Sequence, residues 1–409
     1  MSAAQNMLMR LLKRAEKARL RAADKPVSFS MSSKRDAPEY QAQRTWPERE
    51  AFHAQMALAE RAGAITIQRA RYRGEGQDIE RITVTDLTAL AAHLGVKLQQ
   101  TRVSEAEAVL APWRARFPVL EDVLAAWQAG RRVRGHTAEA ARAIADAALV
   151  VDACQQDLMR ERSLRRESAR LFAGQANASK RIEQLTSWLD LISSGHLKAD
   201  GTLEDVHVWA ALGLRKEPLP LLLAGNAQLH LEQGELPLIR PWLGVPPEAL
   251  QAVQTSARCV LSIENLASFH DAARLSDTDT LLLYTGGMPS PAWRRAYACI
   301  LRSLPVDARI YHWGDIDQGG FRIASVLAHS AAETGHRLLP WQMSPANLPA
   351  SIRTRAKRAD PATLEAMCHW AERTGWPQIA YGLQQQPLML EQELLEARLP
   401  ASPEPLSPG

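Results

Sequence analysis

The sequence predicts a multidomain protein that combines α+β and α/β parts. A helical, winged-helix-like N-terminal region is followed by a C-terminal parallel α/β sheet. Three observations predict this. Residues 258–343 alternate short, continuous apolar runs with helix-period segments, the pattern of parallel strands covered by helices on both faces. Residues 40–95 read as a helix, a two-stranded ribbon and a second helix. Charge is also unevenly distributed: residues 1–175 hold 29 Lys+Arg against 21 Asp+Glu, and the remainder holds 20 against 24.

The 409 residues are 46% hydrophobic and 23% charged, which suits a soluble globular chain with cores of its own. No apolar run approaches the roughly 18 residues of a membrane span. Cys154, Cys259, Cys299 and Cys368 are scattered and form no C-x-x-C pair, so neither a disulfide framework nor a zinc knuckle is expected. The thiols read as small buried hydrophobes in a reducing cytoplasm.

Residues 3–21 carry Leu8, Leu11, Leu12 and Ala15 at helical spacing, with Arg10, Lys13, Arg14, Lys17 and Arg21 covering the rest. Lys25–Pro38 reads as a loop. A basic arm is thus expected over 1–39. In the unit at 40–103, Trp46–Ala62 is a predicted helix, Ala64–Arg71 and Ile79–Val84 are strands, and Asp86 caps a helix to Leu94. Arg69, Arg71 and Arg73 on the ribbon are candidate DNA contacts. Residues 104–256 read as helical and then irregular, with Trp113 and Trp127 expected to anchor packing. In this region Arg165, Arg166, Lys180 and Arg181 are candidate phosphate contacts, and a solvated helix face is the competing reading.

The segment 257–345 carries the chemistry. Predicted strands are Arg258–Asn265, Thr280–Gly287, Ala308–Asp317 and Arg337–Met343, with helices between them. Glu264 ends the first strand and Asp315 and Asp317 end the third, so all three acids are expected at one sheet edge. Residues two apart on an extended backbone share a face. Three converging carboxylates repel one another unless a hard cation such as Mg²⁺ or Mn²⁺ neutralises them. Gly286, Gly287, Gly319 and Gly320 would let backbone approach a phosphate. Taken alone, Asp317 could simply cap the next helix.

Glu264 after a strand, followed by the run Asp315-Ile-Asp317-Gln-Gly-Gly320-Phe-Arg-Ile323, resembles the Toprim domain, closest to that of the topoisomerase VI A subunit. The basic N-terminus, the winged-helix-like unit, the RRESARLF…SKRIE stretch and the LEQE tail resemble the JetD family, the nuclease subunits of Wadjet anti-plasmid systems. The resemblance implies that Glu264, Asp315 and Asp317 hold Mg²⁺ or Mn²⁺ for phosphodiester cleavage of double-stranded DNA. Glu391 and Glu393, within a 346–409 extension, would be secondary candidates for the same site. It also implies a homodimer and an SMC/kleisin-type motor partner supplying ATP hydrolysis, since this sequence has no G-x-x-x-x-G-K-[ST] loop. A topoisomerase-like strand-passage subunit remains open. It would need a nucleophilic tyrosine, and Tyr40 and Tyr72 are the only ones in the N-terminal third. A non-catalytic DNA-binding scaffold also remains open. His312 and Trp313, just before the acids, read as packed core residues.

Overall fold

The computed structural model describes residues 2–21, 26–70, 78–157, 160–198, 204–217, 219–275, 277–305 and 307–400. The chain divides into two compact units, Met1–Asp146 with Ser194–Lys198, and Ala147–Ser193 with Ala199–Gly409. No helix among the described residues is long and apolar enough to cross a membrane.

In the first unit, α1 (Ala3–Leu20) opens with a capping box. The Ser2 hydroxyl accepts from the Gln5 N–H, and the Gln5 side chain accepts from the Ser2 N–H. These bonds satisfy two of the donors that a helix start leaves over. The apolar stripe Met7, Leu8, Leu11, Leu12 and Ala15 is buried in the unit's core. The segment expected to be a loop contains β1 (Ser28–Ser30), an edge strand. It is followed by α2 (Pro38–Gln41), α3 (Trp46–Arg61), β2 (Ile65–Arg69), β3 (Ile79–Val84) and α4 (Leu87–His93). The three strands form an antiparallel sheet ordered β1-β3-β2. Asp86 caps α4 by accepting from the Thr88 and Ala89 N–H groups at 2.7 and 3.0 Å. Arg71 and Arg73 of the expected DNA-contacting ribbon, and Tyr72, lie outside the described residues. Helices α5 (Gln99–Leu110) and α6 (Val119–Gln128) complete this unit, and α7 (Ala141–Gln155) leads into the next. Trp127 is fully enclosed, whereas Trp113 is half-buried.

The second unit opens with β4 (Arg162–Ser163), α8 (Leu164–Leu171), α9 (Arg181–Gln184), α10 (Thr186–Ser194) and α11 (Asp205–Ala211). The region expected to be irregular then supplies β5 (Leu214–Arg215), β6 (Leu221–Ala224), β7 (Gln228–Leu231), β8 (Gly234–Pro237), β9 (Leu243–Val245) and β10 (Leu250–Gln254). The α/β segment follows as β11 (Cys259–Ile263), α12 (Leu266–Arg274), β12 (Thr280–Tyr284), α13 (Pro291–Arg302), β13 (Arg309–Trp313), α14 (Gln318–Ala332) and β14 (Leu338–Pro340). The tail forms α15 (Ala350–Arg353), β15 (Lys357–Arg358), α16 (Pro361–Arg373), α17 (Pro377–Gln385) and β16 (Leu388–Met389).

The main sheet has the order β14-β13-β11-β12-β6-β9. Its first four strands are parallel, as expected. The expectation of a purely parallel sheet is corrected by β6 and β9, which add antiparallel strands at one side. The run Leu221–Ala224 is buried at every position, so it fits a sheet interior rather than a surface connection. A second antiparallel sheet, β10-β7-β8, shares the same apolar core.

The sheet order locates the natural binding crevice. The chain leaves β11 through α12 toward β12 on one side, and leaves β13 through α14 toward β14 on the other. The carboxyl ends of β11 and β13 therefore flank a topological switch point, where α/β sheets bind ligands.

Candidate metal and phosphate site

Glu264 follows β11 directly, and Asp315 and Asp317 follow β13, so the three acids sit at this switch point. The expected strand Ala308–Asp317 is shorter than predicted. It ends at Trp313, and Gly314 begins the departure. The extended backbone resumes at Ile316, which exchanges two hydrogen bonds with Leu390 at 2.8 and 3.1 Å. A piece of the C-terminal tail thus pairs with the residue between the two aspartates.

Each carboxylate is anchored to a backbone N–H. Glu264 Oε2 accepts from Asp315 at 3.3 Å, and Asp315 Oδ1 accepts from Gln392 at 2.6 Å. Asp317 Oδ1 accepts from Gly320 at 2.7 Å, so Asp317 does cap α14. Burial, with the charges of Asp315 and Asp317 added, pushes the Glu264 carboxyl up to about 8. Burial also raises Asp315 to about 6. The Gln392 N–H opposes that rise, and the charges of Asp317, Glu393 and Glu391 add to it. At neutral pH this edge therefore disfavours its own full ionisation, and a cation would relieve the conflict. The donor set is all oxygen, which suits Mg²⁺ or Mn²⁺. In the arrangement seen, the three side chains turn to backbone donors. Among the described residues no group of three His, Cys, Asp or Glu side chains stands together ready to hold an ion.

Two glycines are required by close approach. A Cβ on Gly320 would overlap the carbonyl oxygen of Asp315. On Gly314 it would lie 2.7 Å from Glu264 Oε2 and 2.9 Å from His312 Nε2. Gly286 and Gly287 follow β12 with φ of +63° and +79°, and Gly319 lies beside Asp317. The half-buried His207 of α11 stands close to both Gly287 and Gly319. Burial lowers its pKa against the opposing charges of Glu204 and Asp317.

His312 and Trp313 are fully buried, as expected. His312 Nδ1 meets Ser262 Oγ at 3.0 Å, and burial lowers this imidazole to about 3. Glu391 and Glu393 are exposed, but they lie near Asp315 rather than on a remote helix face. Glu393 accepts from Asn265 Nδ2 at 2.6 Å, and Glu391 pairs with Lys357 at 3.2 Å. A cavity of about 260 Å³ is lined by Asp317, Glu391, Lys357 and Arg355, placing two cations beside the acid edge.

Gln392 escaped sequence reasoning. Its backbone holds Asp315, and its side-chain oxygen accepts from the Asn265 N–H at 2.9 Å. It therefore ties the loop after Glu264 to Asp315. A signal existed: Leu388, Leu390 and Gln392 alternate inward while Glu391 and Glu393 face out, so a polar residue occupies a core position. His207, Lys357 and Arg355 come from distant segments, and no local pattern marks them.

The remaining candidates are spread out. Arg69 lies 3.5 Å from Glu60, within the first unit. Arg165 and Arg166 are exposed on α8, which packs against the turn carrying Lys180 and Arg181. Ser168 Oγ links them by accepting from the Ile182 N–H and donating to the Ala178 carbonyl. Arg165 sits 3.9 Å from Glu183. Tyr40 is buried in the first unit, with its hydroxyl against His53 Nε2 at 3.0 Å.

Residues 214–401 match the protein family described as Wadjet protein JetD, C-terminal. The matched region runs from β5 through the tail, and so includes Glu264, Asp315, Asp317 and Gln392. A comparison with curated proteins found no match.

Proposed function

We propose that this protein is a Mg²⁺- or Mn²⁺-dependent DNA endonuclease subunit of a Wadjet-type defence system, cutting plasmid DNA. The observation that carries the reading is the acid edge at the switch point, within the region similar to JetD. Glu264, Asp315 and Asp317 would hold the ion, in a Toprim-like arrangement. A divalent cation at such a site polarises a phosphodiester and helps generate the attacking water. The protein's own groups do the rest. The Asn265–Gln392–Asp315 bonds fix the two loops relative to each other. Lys357 and Arg355 offer positive charge to the phosphates flanking the cut. Gly319 and Gly320 let backbone approach the strand, and His207 stands within reach of a phosphate oxygen there.

Wadjet membership implies an SMC/kleisin-type motor as partner. A twofold homodimer would present one acid edge to each strand of a duplex. The strand-passage alternative needs an accessible tyrosine, and Tyr40 is enclosed and hydrogen-bonded.

The test is incubation of the purified protein with circular DNA, with and without Mg²⁺ or Mn²⁺, alone and with the motor complex. Linear product in the presence of metal, absent in Asp315→Ala and Asp317→Ala, is expected. Equal cutting by the wild type and both variants would exclude the site. A covalent protein–DNA adduct would replace this reading with strand passage.

A further inference from the structure

A concentrated positive feature lies in the first unit. Along α1 and its C-terminal cap, Arg10, Lys13, Arg14, Lys17 and Arg21 recur at i, i+3, i+4, i+7 and i+11. That spacing makes one stripe, about 16 Å long at 1.5 Å per residue. Facing it are Val27, Phe29, Arg35 and Asp36, and the two sides enclose a groove of about 630 Å³. Two of the arginines are fixed in place. Arg10 bonds Glu39 at 2.6 Å and Arg14 bonds Asp36 at 2.8 Å. Both guanidinium carbons stand 5.3 Å from the Phe29 ring centre. Lys13, Lys17, Arg21 and Arg35 are exposed and form no ion pair among the described residues. Six cations against Asp36 and Glu39 leave a net +4.

A merely solvated face would scatter its cations among acids, as this unit does elsewhere. Lys97 pairs with Glu105, and Arg114 with Glu107 and Glu121. The α1 stripe instead sets three unpaired cations, Lys13, Lys17 and Arg21, along one line beside the paired Arg10 and Arg14. One DNA strand carries a phosphate about every 3.4 Å, so 16 Å faces roughly five of them. We infer that the groove between α1 and β1 seats the sugar-phosphate backbone of duplex DNA. The inference rests on the reading that this protein acts on DNA, and it adds a holding site in the other unit.

Single strands are recognised by aromatic faces on which bases stack. Phe29, the aromatic residue of the groove, is only 2% exposed and lies under two guanidiniums, so it offers no such face. A membrane surface would need an exposed apolar stripe. The apolar stripe of α1 is buried in the core. Phosphate contacts carry no base information, so binding here is sequence-independent.

The experiment measures binding of the full chain to a short fluorescent duplex in a chelator, at salt between about 50 and 200 mM. Lys13→Glu, Lys17→Glu and Arg21→Glu are combined in one variant. Because each lost phosphate contact removes about 0.9 from the log–log salt slope, the slope should flatten by about 2–3. Affinity at the low end should fall at least about tenfold. Lys13→Arg with Lys17→Arg should keep both. Binding is read in chelator, where no metal-dependent cutting occurs, so loss of cutting and loss of holding are read separately. Thermal melting confirms that the charge-reversed protein is folded; if it is not, the Gln counterparts at the same three positions take its place. Unchanged slope and affinity in a folded variant would overturn the inference. So would tighter binding of single strands, of anionic vesicles or of the SMC partner through these residues without any effect on duplex.

Discussion

The second unit keeps its carboxylates behind a helix cap and a strand bridge, with two pKa values raised. The first unit lays its cations along an exposed helix stripe. In the first case charge is concentrated, desolvated and in mutual conflict. In the second it is spread at helical spacing and left in water. Buried charge makes sharp, all-or-none chemistry, because removing one group changes every neighbour. Exposed charge makes graded attraction, in which each cation adds a small, salt-sensitive increment. The proposed cutting of DNA would draw on both.

The difference can be broken first at the acid edge. Asp315→Ala or Asp317→Ala should lower metal-dependent plasmid cutting by more than about 100-fold, since even groups that only orient metal ligands are worth about 10–100-fold. Binding to duplex in chelator should not weaken, because the lost carboxylate repels phosphate. A single charge reversal in the groove, Lys17→Glu, should instead shift the salt slope by only about one. If single substitutions in the two regions cost the same, the contrast fails.

Packing at the edge is the next point of attack. Gly320→Ala places a methyl group against the Asp315 carbonyl, and melting should show a loss of about 1–3 kcal/mol. Gly335→Ala, in open space, tests backbone strain alone.

Much of this contrast was legible in the sequence. Glu264, Asp315 and Asp317 stood after apolar strands, and the β11–α12–β12–α13–β13 order followed from alternating runs. The basic stripe on α1 was visible in its spacing. The antiparallel additions β6 and β9 were not, because runs of three or four residues among prolines give no period to read. Gln392 and the Leu390 bridge to Ile316 were hidden for another reason. Alternation at Leu388, Leu390 and Gln392 marks an inward position, but the partners Asp315 and Ile316 lie more than 70 residues away along the chain, and no local pattern names them.

A gentler probe is pH. Glu264 ionises near 4.5 when unfolded and near 8 in place, so between those values the native state retains a proton that the unfolded chain has released. Native stability without metal should therefore fall as pH rises from 5 to 8. Glu264→Gln should flatten that slope and melt higher than the wild type at pH 8. An unaltered slope would show that the carboxyl is not under this strain. The smallest effect is expected at Gln392→Ala, which keeps the backbone donor to Asp315 and loses only the bond from Asn265. Mn²⁺ affinity should weaken by about tenfold.

The most direct measurement is calorimetric titration of the full chain with Mn²⁺ in the absence of DNA, across pH 6 to 8. The account predicts saturable binding that weakens, and releases protons, as pH falls within reach of the Glu264 and Asp315 values, about 8 and 6. Affinity should rise with pH and be lost in Asp315→Asn with Asp317→Asn. Binding of equal strength in that variant, or no saturable binding at pH 8 in the wild type, would contradict it.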